Sequence, residues 1–171
     1  VVVIMPCDPY TEIGYFEAIS RMVRCVEQNV ADLVLMGITP IYPSEKYGYV
    51  VPVTGGMQGL SQPVARFTEK PTTIVAEDLL KQNAFWNAGV FAFRLGYMMD
   101  IVRKYITSNN FEDIRSRYCE FPKISFDYEV AEKAESVAVV PYNGVWKDLG
   151  TWNTLTEELK KTVIGNATMG A

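Results

Sequence analysis

Apolar positions along the chain alternate between short continuous runs and helical stripes, with proline, glycine and polar residues at the joins. Residues 1–5 form an unbroken, mostly β-branched run, the pattern of a central parallel strand buried on both faces. Pro6-Cys7-Asp8-Pro9 stops it and leaves Asp8 just past its carboxyl end. Residues 14–29 then set Ile19, Met22, Val23, Val26 and, just beyond, Val30 at helical spacing. Residues 31–38 are a second apolar strand, ended by Gly37-Ile38-Thr39-Pro40. Strand, helix, strand predicts a βαβ unit with a right-handed crossover.

A loop rich in Pro, Ser and Tyr covers 39–47, and strands at 49–53 and 64–68 flank a turn around Gly55-Gly56. A short helix at 74–81 and a strand at 85–93 follow. Helices at 95–106 and 111–118 are joined by Thr107-Ser108-Asn109-Asn110. A short helix at 126–134, a strand at 137–140 and a helix at 151–161 complete the pattern. Neither repeats nor low-complexity tracts interrupt it. The expected architecture is a three-layer α/β domain with a mixed sheet.

Composition narrows the chemistry. The chain has 171 residues, 49% of them hydrophobic, enough for one core and one domain. A formal net charge of -4 gives no basic surplus for nucleic acid. No apolar run reaches membrane-span length and no signal-peptide layout is present, so neither nucleic acid nor membrane is an expected partner. The three cysteines, Cys7, Cys25 and Cys119, are odd in number and far apart. They form neither a zinc pattern nor a disulfide framework, which suits a cytoplasmic location. Histidine is absent, which removes Ser-His and Cys-His nucleophiles, histidine bases and histidine-ligated metals. Carboxylates, lysine, arginine, tyrosine or an oxygen-held metal remain, a kit that fits hard-cation chemistry on phosphates.

Candidate chemistry lies at the strand ends. In Trp146-Lys147-Asp148-Leu149-Gly150, a carboxylate follows an apolar strand and precedes a glycine and a helix, a common site position in α/β folds. The plain alternative is a β-to-α turn whose Asp supports the next helix. Asp8 has the same two readings, a site carboxylate or a turn aspartate capping the helix that follows. Together they could face one crevice and hold Mg²⁺, which takes one or two protein carboxylates and fills its octahedron with water and phosphate oxygens. At Glu69-Lys70-Pro71 the lysine could meet a phosphate and the glutamate sugar hydroxyls, or the two could be a solvated surface pair. Asn87 inside an apolar strand needs partners from backbone or ligand, and Gly89 admits a close approach. Gly48, flanked by Tyr47 and Tyr49, could accommodate a sugar face, with packing as the alternative role for the rings. Gly55-Gly56 lies in a hairpin and is no phosphate loop.

The order of these motifs is more specific than any one of them. Met5-Pro6-Cys7-Asp8, Gly37-Ile38-Thr39-Pro40, Tyr47-Gly48-Tyr49, Phe67-Thr68-Glu69-Lys70-Pro71, Trp86-Asn87-Ala88-Gly89-Val90-Phe91, Ser125-Phe126-Asp127-Tyr128 and Trp146-Lys147-Asp148-Leu149-Gly150 together resemble the sugar-1-phosphate nucleotidyltransferase family. The Trp-Asn start and the Ser-Phe-Asp-Tyr segment are most similar to mannose-1-phosphate guanylyltransferases.

The resemblance implies a Rossmann-like α/β/α domain with a mixed, mostly parallel sheet. It implies attack of a sugar 1-phosphate oxygen on the α-phosphate of a nucleoside triphosphate, here GTP and mannose 1-phosphate giving GDP-mannose and pyrophosphate. Asp8 and Asp148 would hold Mg²⁺, and Lys70 would neutralise the sugar phosphate. Gly48, Glu69 and Asn87 would position the sugar, with Asp127 beside the pocket; a homo-oligomer is also within expectation.

Departures shape the expectation further. The family's N-terminal Gly-rich loop is not found in this chain, and Ala88 and Lys147 stand where many relatives carry serine. The chain opens in a strand already under way and closes in a small-residue stretch. The expectation is therefore an internal piece: a truncated catalytic domain at 1–162 and the start of a linker at 163–171, inactive by itself. Glucose-1-phosphate thymidylyl or uridylyl transfer is the alternative activity. A non-catalytic sugar-nucleotide-binding regulatory subunit is the other reading, and the retained Asp8, Lys70 and Asp148 argue against it.

Overall fold

The computed structural model describes residues 1–56 and 59–149. In chain order its first elements are β1 (Val2–Ile4), β2 (Pro9–Thr11), α1 (Ile13–Glu27), β3 (Leu33–Ile38), β4 (Tyr49–Pro52) and β5 (Gln62–Thr68). Then come α2 (Thr73–Lys81), β6 (Phe85–Phe93), α3 (Leu95–Arg103), α4 (Phe111–Ser116), β7 (Val137–Tyr142) and β8 (Trp146–Asp148). A six-stranded sheet has the order β1-β6-β3-β7-β5-β4, and β4 also pairs with the start of β6; β2 and β8 make a separate antiparallel ribbon.

The sheet is mixed, as expected. β1, β3, β4 and β7 run one way, but the reversed β5 and β6 lie between them, so among the described residues β3 and β7 make the parallel pairing. The predicted predominance of parallel strands therefore holds for direction and not for neighbours.

β3 is buried along its whole length, and its alternating side chains divide the interior. Val34, Met36 and Ile38 pack with Tyr15, Ala18, Met22 and Val26 of α1 and with Ala76 and Leu79 of α2. Leu33 and Leu35 face the other way, onto Phe91, Phe93, Val130 and Ala131, with Met98 and Ile101 of α3 behind. Two cores on opposite faces of one sheet make the three layers.

Several boundaries differ from the sequence reading for identifiable reasons. Among the described residues the run at 1–5 has no parallel neighbour: β1 lies at the edge of the sheet, antiparallel to β6, with Val1 and Ile4 exposed. Continuous apolar character marks a strand but not its neighbours, and β6 takes the place beside β3. The helix expected at 95–106 ends at Arg103. α4 begins where Asn110 Oδ1 accepts the N–H groups of Glu112 (2.8 Å) and Asp113 (3.3 Å), and it closes early into a 3-10 turn at Tyr118–Glu120. The helix expected at 126–134 is reduced to a π-helical turn, Asp127–Ala131, that ends three residues early. The predicted helix at 151–161, Gly150 and the linker at 163–171 lie outside the described residues.

Candidate active site

Two ribbon residues bring the ends of the chain's described part together. β2 and β8 pair with Pro9 opposite Asp148, which sets Asp8 next to Asp148 although 140 positions separate them in sequence. Asp148 therefore ends a short ribbon strand, β8, rather than the sheet strand β7. Glu12 fastens this ribbon: its carboxylate accepts Val145 N–H at 3.1 Å and the Tyr142 hydroxyl at 3.4 Å. Glu12, not Asp8, also occupies the N-cap position of α1, and no side chain caps it. The capping role considered for Asp8 is thereby excluded.

The ribbon forms one wall of a cavity of about 300 Å³. Asp8, Gly48, Glu69, Lys70, Asn87, Asp127 and Asp148 all line it, so the structure gathers every residue singled out as a site candidate. Lys46, Tyr47, Ala88, Gly89 and Trp146 line it too. Asp8 and Asp148 are solvent-exposed and offer hard oxygen donors at its mouth. Tyr47 packs against Trp86 (ring centroids 4.9 Å) and Trp146 (5.4 Å), giving the cavity an aromatic side. Burial pushes the Tyr47 phenol well above its ordinary pKa, with the Tyr42 hydroxyl and the Asp148 charge acting the same way.

The opposite side is polar and tightly connected. Asn87 is buried, as a partnered amide must be. Its Nδ2 donates to Asp127 Oδ1 at 2.8 Å, its Oδ1 accepts Gly89 N–H at 3.1 Å, and its own N–H donates to the Gly48 carbonyl at 2.8 Å. Gly89 has φ +70°, a conformation a side chain would strain, and the group that approaches it is Pro6, 3.4 Å from where a Cβ would stand. That contact seats the Pro6-Cys7-Asp8 loop over β6. At Gly48 a Cβ would run into Glu69 Oε2 and stand 3.0 Å from Phe67 Cζ, so glycine makes room for the Glu69 carboxylate.

Glu69 and Lys70 are not the solvated pair that local sequence allows. The Glu69 side chain is only 8% exposed, while Lys70 is 59% exposed with its Nζ 3.6 Å from Glu69 Oε1. Burial holds the Glu69 carboxyl above the usual carboxylate range, the Asp127 charge adds to this, and the Lys70 charge opposes it. Glu132 is the residue that sequence reasoning missed: its Oε1 accepts the Glu69 N–H at 3.1 Å. The signal available was its place five residues after Asp127, which matters only once the helix is known to widen there.

A cavity lined by lysines, paired carboxylates and a buried amide can bind a phosphorylated polar ligand through oxygen-held cations and directed hydrogen bonds. The sequence profile of the family described as nucleotidyl transferase matches residues 1–163. The chain belongs to the nucleotidyl transferase family. The mannose-1-phosphate guanylyltransferase of Salmonella montevideo is 33% identical over 81% of this chain and 34% of its own length. Xanthan biosynthesis protein XanB of Xanthomonas campestris pv. campestris is 28% identical over 93% of this chain and 37% of that protein. A crystal structure described as a mannose-1-phosphate geranyltransferase from Thermus thermophilus superposes with TM-score 0.77 at 30% identity, covering 91% of this chain and 48% of that one. The UTP-bound UGPase of Acinetobacter baumannii, at 17% identity, TM-score 0.61 and coverage of 91% and 48%, shares the fold. The chain spans about a third of the length of these curated relatives and about half of the solved chains. Within the nucleotidyl transferase family its relatives are sugar-1-phosphate nucleotidyltransferases, and it is close to the mannose-1-phosphate guanylyltransferases. Among the described residues no helix is long and apolar enough to cross a membrane.

Proposed function

We propose that the protein carrying this chain transfers the GMP group of GTP to mannose 1-phosphate. A phosphate oxygen of mannose 1-phosphate attacks the α-phosphorus of GTP, the bond from that phosphorus to the β-bridging oxygen breaks, and pyrophosphate leaves with the electron pair. The observation that carries the reading is the cavity in which an exposed aspartate pair, Lys70 and the Glu69–Asn87–Asp127 group converge.

The exposed pair Asp8 and Asp148 fits Mg²⁺, a hard cation that binds through few protein carboxylates and completes its shell with phosphate oxygens. Bound there, the ion would supply charge neutralisation at the α-phosphate. Lys70 holds the phosphate of the acceptor as a point charge. Asp127, fixed by Asn87, and the confined Glu69 carboxyl take the sugar hydroxyls. Catalysis is then mostly positioning and electrostatics, which is why a chain without histidine can be built for it. The preference for GTP and mannose 1-phosphate follows the relatives at 28–33% identity.

The test is pyrophosphate release by the protein translated from the whole reading frame, supplied with GTP, UTP or dTTP and with mannose 1-phosphate or glucose 1-phosphate. Release confined to GTP with mannose 1-phosphate supports the proposal. Preference for glucose 1-phosphate with UTP or dTTP replaces the substrates, and no release with any pair leaves the regulatory-subunit reading.

A further inference from the structure

We infer that Glu132 is a positioning residue for the sugar-phosphate end of this cavity, acting through the widened helical turn that carries both it and Asp127. The inference rests on the function proposed above and concerns a residue that does not line the cavity.

The turn opens on one ordinary α-type bond, with Glu129 N–H donating to the Ser125 carbonyl four residues back at 3.0 Å. It then widens: Glu132 N–H donates to the Asp127 carbonyl five residues back at 2.9 Å. In a regular α-helix, residues five apart point about 140° away from each other. The extra residue in the turn brings Glu132 back over Asp127, and such insertions cluster at functional sites. Here Asp127 lines the cavity, and Glu132 behind it holds the backbone of a residue that does. Asp127 accepts from the Asn87 amide on β6, and Glu132 accepts from the Glu69 N–H at the end of β5.

The Glu69 contact matters because the next residue, Lys70, is strained. Its φ is +44°, a left-handed conformation that costs a residue with a Cβ. Pro71 brings no N–H to anchor the turn from the other side. The Glu132 carboxylate thus holds the last backbone donor before the strained lysine. It sets the direction from which the exposed Lys70 side chain leaves the backbone, and the depth at which Glu69 sits beside Gly48.

The experiment compares Glu132→Ala, Glu132→Asp and Glu132→Gln in the protein from the whole reading frame. Glutamine keeps an acceptor at the right reach; alanine removes it, and aspartate keeps the charge but withdraws the oxygen by one methylene. Alanine and aspartate are expected to raise KM for the sugar 1-phosphate about ten-fold while KM for the nucleotide stays within about two-fold, the scale of one charge-assisted hydrogen bond. Glutamine should stay within about three-fold of wild type. Amide exchange at Glu69 should quicken in the alanine and aspartate variants and not with glutamine, a readout independent of turnover. An unchanged sugar 1-phosphate KM in both the alanine and aspartate variants, or equal losses for both substrates, overturns the role of Glu132. If wild type uses another sugar 1-phosphate, the substrate proposal fails and the same comparison on that sugar still judges Glu132. If wild type turns over none, both fall.

Discussion

Glu69 shows how much a single side chain here depends on its surroundings. Its Oε2 is buried without a hydrogen-bond partner among the described residues, beside the Asp127 charge and with no room to withdraw past Gly48. The folded protein therefore favours its protonated form, so the stability it contributes is present at low pH and is lost as pH rises through the raised pKa. Glu69→Gln, which mimics the neutral carboxyl, should gain in Tm on wild type as pH is taken from about 4 towards neutrality. A gap that stays constant or shrinks across that range would count against this account. Asp148 is the contrasting case, an exposed carboxylate at the end of β8, where asparagine keeps the shape and removes only the charge. Asp148→Asn is expected to lower turnover by at least about 10²-fold, with a Tm within about 2 °C of wild type. Full activity in that variant would remove the aspartate pair from the mechanism. Asp8, Asp148, Glu69 and Lys70 were legible as candidates because each falls just past a strand-like run and within the ordered motifs that carry the family resemblance. Glu132 was not, since its role is a contact with a backbone N–H 63 positions away.

β6 is the element that most decides the site, because it pairs on one side with β3 and on the other with both β1 and β4. Its pairing with β3 shifts register between Leu35 and Gly37. A Cβ on Gly37 would lie 2.6 Å from Val139 Cγ2 and 2.7 Å from Phe85 Cβ, both held in the sheet. Gly37→Ala should therefore cost at least about 1–3 kcal/mol, the usual penalty for overpacking. Urea unfolding reads it directly, and a midpoint equal to wild type would show that the strands can separate there without cost. Most elements were readable from the apolar pattern: α1 and β3 follow it closely. The errors fall at ends and neighbours. The π turn at Asp127–Ala131 left no mark in periodicity, since one inserted residue in a short helix shifts few apolar positions.

The cavity belongs to no single element: its walls come from the loop after β1, the entry to β4, the end of β5, the middle of β6, the π turn and β8. A site held together from so many directions, with exposed carboxylates at its mouth, should be most sensitive to what bridges it to a phosphate. Chelation is accordingly expected to drop pyrophosphate release by about 10²-fold or more, with Mg²⁺ restoring it; release that survives exhaustive chelation would exclude the metal. The sequence by itself determined the type of almost every element, because apolar periodicity is a local consequence of backbone geometry. It also restricted the chemistry to oxygen and nitrogen groups other than imidazole, because composition needs no coordinates. Tertiary structure alone decided that β6 separates β1 from β3, that a ribbon lays Asp8 beside Asp148, and that Gly48, Glu69, Asn87 and Asp127 interlock. These are contacts between distant positions, and they are set by which surfaces fit together once the strands have formed, a quantity that no local window of residues contains.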